Sequence, residues 1–184
     1  MTDTDLVRQL VLRLARLDAD AGRSEGLNPA QSMALEYLAR ANKFSRQPSH
    51  VAEFMGSTRG TISQTLKALR EKELIAEVRF QEDRRTLSYE LTSKGYEILA
   101  QSNSLRCDFS DLSETQLSQL EQSLQTILNT TLRANGQKPF GVCKTCQHFA
   151  PRSKKNGFCN LLSTPIAQSE TEKICVEYAQ MRRS

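Results

Sequence analysis

The stretch PSHVAEFMGSTRGTISQTLKAL, Pro48 to Leu69, decides the fold. A short helix opens at Pro48 and ends at Met55, with Gly56 as its stop, because glycine takes the left-handed backbone that helix ends favour. Ser57 or Thr58 then starts a longer helix almost at once. Ile62, Leu66 and Leu69 follow at spacings of four and three, so they share one side and face inward, while Gly60, Gln64 and Lys67 face the opposite way. Two helices joined by a short turn containing glycine make a helix-turn-helix, and the second is the candidate recognition helix.

Just downstream, Leu74 to Phe80 and Thr86 to Thr92 are rich in strand-forming residues and flank the charged segment Gln81-Glu82-Asp83-Arg84-Arg85. The pattern predicts a β-hairpin with an arginine-bearing tip. A helix-turn-helix followed directly by such a hairpin is a winged-helix layout. Upstream, Asn28 caps a helix that has Pro29 in its first position and runs to about Ala41, and the polar linker Asn42 to Gln47 follows. Before it, Leu6, Leu10, Leu14 and Leu17, with Val7 and Val11, line one face of a first helix.

Thr92 caps a helix running past Leu99 towards Cys107, and Ser113 with Gln116 forms a capping box for a last long helix. That helix carries Leu117, Leu120, Leu124, Ile127, Leu128 and Leu132 and ends near Gly136. Its stripe needs a partner surface. The fold class is therefore mainly α with a small β-hairpin wing. Residues 1–136 form the winged-helix and dimerisation domain, and residues 137–184 a small Cys-rich tail.

Net charge is +4, but residues 1–139 hold 18 basic and 18 acidic residues, and the excess lies in the tail with seven basic and three acidic. Bulk charge thus says nothing about DNA, and local placement has to carry that argument. A recognition helix meets the major groove by its first turns. Ser57, Thr58, Arg59, Thr61, Ser63, Gln64, Thr65 and Lys67 suit that role, with Gln64 able to pair bidentately with adenine and Arg59 with guanine or phosphate. At the wing tip Arg84 and Arg85, steadied by Asp83, suit an adjacent minor groove. A solvated polar helix face and a solvated hairpin tip are the plainer readings of the same residues.

Five cysteines divide into an isolated Cys107, read as a small packing residue, and a cluster of four in the last 42 positions: Cys143-x2-Cys146-x12-Cys159-x15-Cys175. In a reducing compartment clustered thiols bind metal more readily than they form disulfides. Four thiolates complete a tetrahedral zinc ion or one cubane iron-sulfur cluster. Only the first pair is a CxxC, which departs from common zinc ribbons. His148 offers a substitute zinc ligand, and is read as a polar neighbour.

No stretch is apolar enough to cross a membrane, and the N-terminus lacks a signal-peptide core, so a cytoplasmic protein is expected. No phosphate-binding glycine loop, nucleophile elbow or histidine-rich catalytic set occurs, and His50 and His148 are the only histidines. An enzyme is not expected.

The ordered residues Val51-Ala52-Glu53, Gly56-Ser57, Thr61-Ile62-Ser63, Leu69, Leu74-Ile75, Asp83-Arg84-Arg85 and Leu91-Thr92-Ser93-Lys94-Gly95 resemble the MarR family of bacterial regulators over about residues 5 to 135. The resemblance implies a homodimer clasped by its first and last helices, reading a near-palindromic operator on double-stranded DNA. It also admits a small-molecule effector. Glu73 stands where the family usually has glycine, and Glu77 where an arginine often begins the wing.

The tail segments Cys143-Lys144-Thr145-Cys146-Gln147-His148-Phe149, Phe158-Cys159-Asn160-Leu161-Leu162 and Cys175-Val176-Glu177-Tyr178 resemble the ligand segment of high-potential iron-sulfur proteins. That likeness implies a four-iron four-sulfur cluster, one per chain, with Zn2+ as the alternative. The sequence thus reads as a transcription regulator, expected to be a repressor, whose DNA affinity follows a cysteine-bound cluster. A structural zinc tail with a small-molecule effector is the second reading, and an electron-transfer protein the third.

Overall fold

The computed structural model describes residues 2–21, 26–79, 87–101, 109–152 and 156–181. Helix α1 covers Asp3–Ala21, α2 Pro29–Arg40, α3 Pro48–Phe54 and α4 Arg59–Glu71. Strands β1 (Ile75–Arg79) and β2 (Leu87–Leu91) follow, then α5 (Ser93–Gln101) and α6 (Glu114–Ala134).

The helix ends follow local chemistry. Asn28 and Gln31 form a reciprocal capping box at the start of α2, and Ser113 and Gln116 form another at α6. Gly56 takes φ +58° after α3, and Gly136 φ +66° after α6. Thr58 accepts the Thr61 amide and so caps α4.

Strands β1 and β2 pair antiparallel, with Ile75 opposite Leu91 and Glu77 opposite Tyr89. The core lies between α2, α3, α4 and this hairpin. Leu35, Leu38, Val51, Ile62, Leu66 and Leu69 are its fully buried apolar members, joined by Tyr37, Leu74 and Ile75. Each such side chain contributes roughly 1.5–3 kcal/mol by leaving water. Helices α1 and α6 contribute nothing to it. Most of their apolar residues stay exposed, Leu10 at 55% and Ile127 at 54%, and α6 has no buried residue.

The tail is built from short strands. β3 (Gly141–Val142) pairs with β7 (Ile174–Cys175), and β4 (Phe149–Pro151), β5 (Asn156–Cys159) and β6 (Thr164–Ala167) make a three-stranded antiparallel sheet. A single helical turn, α7 (Gln168–Thr171), links β6 to β7.

This tail packs on the winged helix through the connection between α2 and α3. Ala41 bridges Ile174, the Asn42 amide donates to the Ile174 carbonyl at 2.9 Å, and the Val176 amide donates to Ser45 Oγ at 3.0 Å. Phe54 stacks between Tyr37 and Phe140, with ring centroids 4.4 and 4.5 Å away. Among the described residues no helix is long and apolar enough to cross a membrane.

Candidate nucleic-acid interface and cysteine site

Helix α4 buries Ile62, Thr65, Leu66 and Leu69 and turns its other face outward. Arg59, Thr61, Ser63, Gln64 and Lys67 are exposed on that face, with Thr58 beside them at the N-terminus and Ser57 half-buried in the turn. The unpaired amides of a helix N-terminus favour an anion there, and Arg59 and Lys67 add positive charge. Lys67 lies 3.8 Å from Glu71 one turn on, an exposed pair of little energetic weight.

Thr65 corrects the sequence reading that placed it among the DNA-facing residues. It is only 8% exposed, and its hydroxyl donates to the Thr61 carbonyl at 3.0 Å. A threonine one turn from Thr61 satisfies its hydroxyl within the helix and packs its methyl on the core. Thr58 and Thr61 are engaged with each other at the cap, their hydroxyls 2.9 Å apart.

The wing-tip residues Asp83, Arg84 and Arg85 lie outside the described residues, as does Cys107. Glu77 on β1 forms a salt bridge with Arg70 of α4, tying the wing to the recognition helix. Glu77, which stands where the resemblance expects a wing arginine, thus pairs with the recognition helix instead. Glu73 adopts φ +62°, the left-handed conformation usually supplied by glycine. Thr92 Oγ donates to its carbonyl at 2.7 Å, and Lys94 lies 3.3 Å from its carboxylate.

The second site lies where the tail meets the winged helix. Cys143, Cys146 and Cys175 are buried, Cys159 is half-buried on β5 opposite Phe149, and none forms a disulfide. Cys143 and Cys175 are in hydrogen-bond contact. This contact leaves Cys143 as the protonated member, its thiol pushed up further by burial, and Cys175 as the acidic one. N–H groups from Asn42 and the Glu177 backbone also lower Cys175, against the opposing effect of burial.

Asn42, 1% exposed, places its amide nitrogen 3.4 Å from Cys143 Sγ. The Ala179 amide approaches Cys146 Sγ at 3.5 Å. Burial with N–H donors aimed at sulfur is the chemistry that thiolate metal ligands require, and on that ground the residues suit a metal. The assembly is partial. Among the described residues no three His, Cys, Asp or Glu side chains are gathered closely enough to hold an ion. Cys159 stands on the outer sheet, opposite Phe149. His148 shares a contact with Gln147, 3.3 Å from its ring nitrogen.

Sequence spacing identified the four cysteines and missed Asn42 and Ser45. Both sit in a segment that reads as an ordinary polar linker, and only their burial in the structure marks them.

Residues 25–86 match the sequence model of the MarR family. The chain is 33% identical over 112 residues to the transcriptional repressor MprA of Escherichia coli K12, covering 58% of this chain and 64% of that protein. A solved transcriptional regulator, PA3341, superposes with a TM-score of 0.57 at 26% identity, over 72% of this chain and 99% of that one. The MepR–DNA complex of S. aureus gives a TM-score of 0.55 at 21% identity, over 71% and 98% of the two chains, and so shares the fold. Residues 25–86, the helix-turn-helix and the start of the hairpin, are thus similar to the MarR family.

Proposed function

We propose that the protein is a DNA-binding transcription regulator, acting as a repressor, that grips double-stranded DNA as a homodimer. The observation that carries this reading is the outward polar face of α4, with Arg59, Gln64 and Lys67 exposed and the helix anchored from behind by Ile62, Leu66 and Leu69. Inserted in a major groove, the N-terminal turn meets phosphate while Gln64 and Arg59 reach base edges. Asp83, Arg84 and Arg85 would follow the neighbouring minor groove. The bare leucine faces of α1 and α6 support a second copy of the chain as their cover, which would set two recognition helices on a near-palindromic operator. The relatives' names support the same role: MprA is a transcriptional repressor, and MepR is solved in complex with DNA.

The tail cysteines form the control site in this reading, holding one metal centre per chain. Thiols around a tetrahedral zinc ion stand about 3.8 Å apart, given Zn–S bonds of about 2.3 Å. The buried thiols of Cys143, Cys146 and Cys175 support such a site for zinc. The ligand-segment likeness, with Phe149 and Phe158 half-buried beside Cys159, favours a four-iron four-sulfur cluster as the second reading. Bound zinc would supply a structural cross-link, and a cluster a redox-sensitive one.

Selection from random duplexes with the full chain, purified without oxygen, tests the function. One enriched inverted repeat, together with about one metal centre per chain by elemental analysis, is expected. A colourless zinc protein and a brown iron protein separate the two metals. Recovery of no sequence above background would refute the DNA reading.

A further inference from the structure

The cysteine pair and the wing touch the same five residues. At one end of the connection Asn42–Arg46, Asn42 donates to Cys143 Sγ at 3.4 Å, and Ser45 Oγ receives the Val176 amide at 3.0 Å. Inside it, Ser45 Oγ–H lies 2.8 Å from Asn42 Oδ1, and the Ser45 carbonyl accepts Tyr37 Oη–H at 2.7 Å. At the other end, the Arg46 carbonyl accepts the Tyr89 amide of β2 at 3.1 Å. The Arg46 guanidinium, only 8% exposed, donates to the Ala41 carbonyl and to Glu90 of β2, both at 3.0 Å. Asn42 and Ser45 are buried at 1% and 0% exposure, so neither end can shift without disturbing this chain of hydrogen bonds.

We propose that Asn42 completes the cysteine site from the winged-helix side, and that the connection Asn42–Arg46 passes the occupancy of that site to strand β2 of the wing. The inference rests on the metal reading of the tail. Thiolates held by a metal are fixed acceptors for the Asn42 N–H groups. Losing the metal frees the sulfurs to turn away, and Asn42 then loses its sulfur partner in a buried setting. The backbone from Asn42 to Arg46 relaxes, and with it the contacts that hold Tyr89 and Glu90. A shared segment with two arrangements is the physical requirement for such coupling.

Amide hydrogen exchange of the full chain, as isolated without oxygen and again after chelation, reads the relay. The Ser45, Val176 and Tyr89 amides are expected to exchange at least tenfold faster in the stripped protein, with the amides inside α4 unchanged. Glu90→Leu removes the acceptor that the Arg46 guanidinium holds on β2 and so loosens the link to the wing outside the cysteine site. It should keep its metal and the Ser45 and Val176 responses while the Tyr89 response falls below threefold. Asn42→Asp keeps oxygen acceptors for Ser45 and Phe44 but turns a carboxylate towards the sulfurs. Cobalt(II) titration of the stripped chain, followed by thiolate-to-cobalt absorbance, should show at least tenfold weaker binding with unchanged exchange inside α4. Metal present with the Tyr89 amide indifferent to its removal overturns the relay alone. Equal cobalt affinity in Asn42→Asp overturns the role of Asn42. A chain that carries no metal and binds no cobalt overturns the metal reading and this inference with it.

Discussion

A Cβ on Gly95 would lie 2.2 Å from the carbonyl oxygen of Leu74, well inside contact distance. That closeness seats the start of α5 on the end of the recognition-helix unit, where the Thr92 amide also donates to Leu74 O at 3.1 Å. Backbone atoms cannot step aside for a methyl group as a flexible side chain can. Gly95→Ala is therefore predicted to lose about 2 kcal/mol or more in urea unfolding. An unchanged midpoint would show that α5 is not seated in this way.

The winged helix was legible because its signals are local. Helix caps at Asn28, Thr58 and Ser113, the stop at Gly56 and the spacing of Ile62, Leu66 and Leu69 depend on neighbours within a turn or two. Thr65 shows the limit of such reading. It lies between Ser63-Gln64 and Lys67 in a polar run, yet its azimuth on the helix puts it at the edge of the buried face. The tail was legible only as four cysteines. Its strands are two to four residues long, too short for a periodic pattern, and its docking depends on pairs such as Asn42 and Cys143 that lie 101 positions apart. No local rule connects those two residues.

Glu73 holds a left-handed backbone at φ +62°, which costs a residue with a Cβ roughly 1 kcal/mol relative to glycine. Its ion pair with Lys94 is exposed and offsets little of this. Glu73→Gly is predicted to raise stability by about 0.5–1 kcal/mol in chemical denaturation, while Glu73→Ala gives no gain. Equal effects of the two would remove the backbone explanation.

The leucine faces of α1 and α6 should behave as an interface. Leu10→Asp combined with Leu124→Asp places charge in both stripes and is predicted to give a monomer in sedimentation equilibrium, with the winged-helix core still folded by circular dichroism. A double variant with the parent's mass in solution would mean that other surfaces hold the copies together.

His50 carries a buried ring nitrogen, Nδ1, with no hydrogen-bond partner, and burial holds its imidazole below the ordinary value of 6.5 against the pull of Glu177 and Glu53. The folded protein prefers the neutral ring, so the unfolded chain binds more protons. The contribution is present above pH 6.5 and is lost as pH falls through the depressed folded value. Stability is thus predicted to fall between about pH 7 and 5, with a shallower fall in His50→Gln. The same slope in both proteins would assign the acid sensitivity to other groups.

The most direct measurement is a titration of the dimer against its selected operator, comparing the parent with Gln64→Ala and Lys67→Ala. Gln64→Ala should weaken binding by about 1–3 kcal/mol and relax preference at one base pair per half-site. Lys67→Ala should weaken all sequences alike and lower the dependence on salt by about one ion per site. Operator affinity and sequence preference unchanged in both variants would contradict the account, because α4 would then not be the surface that reads DNA.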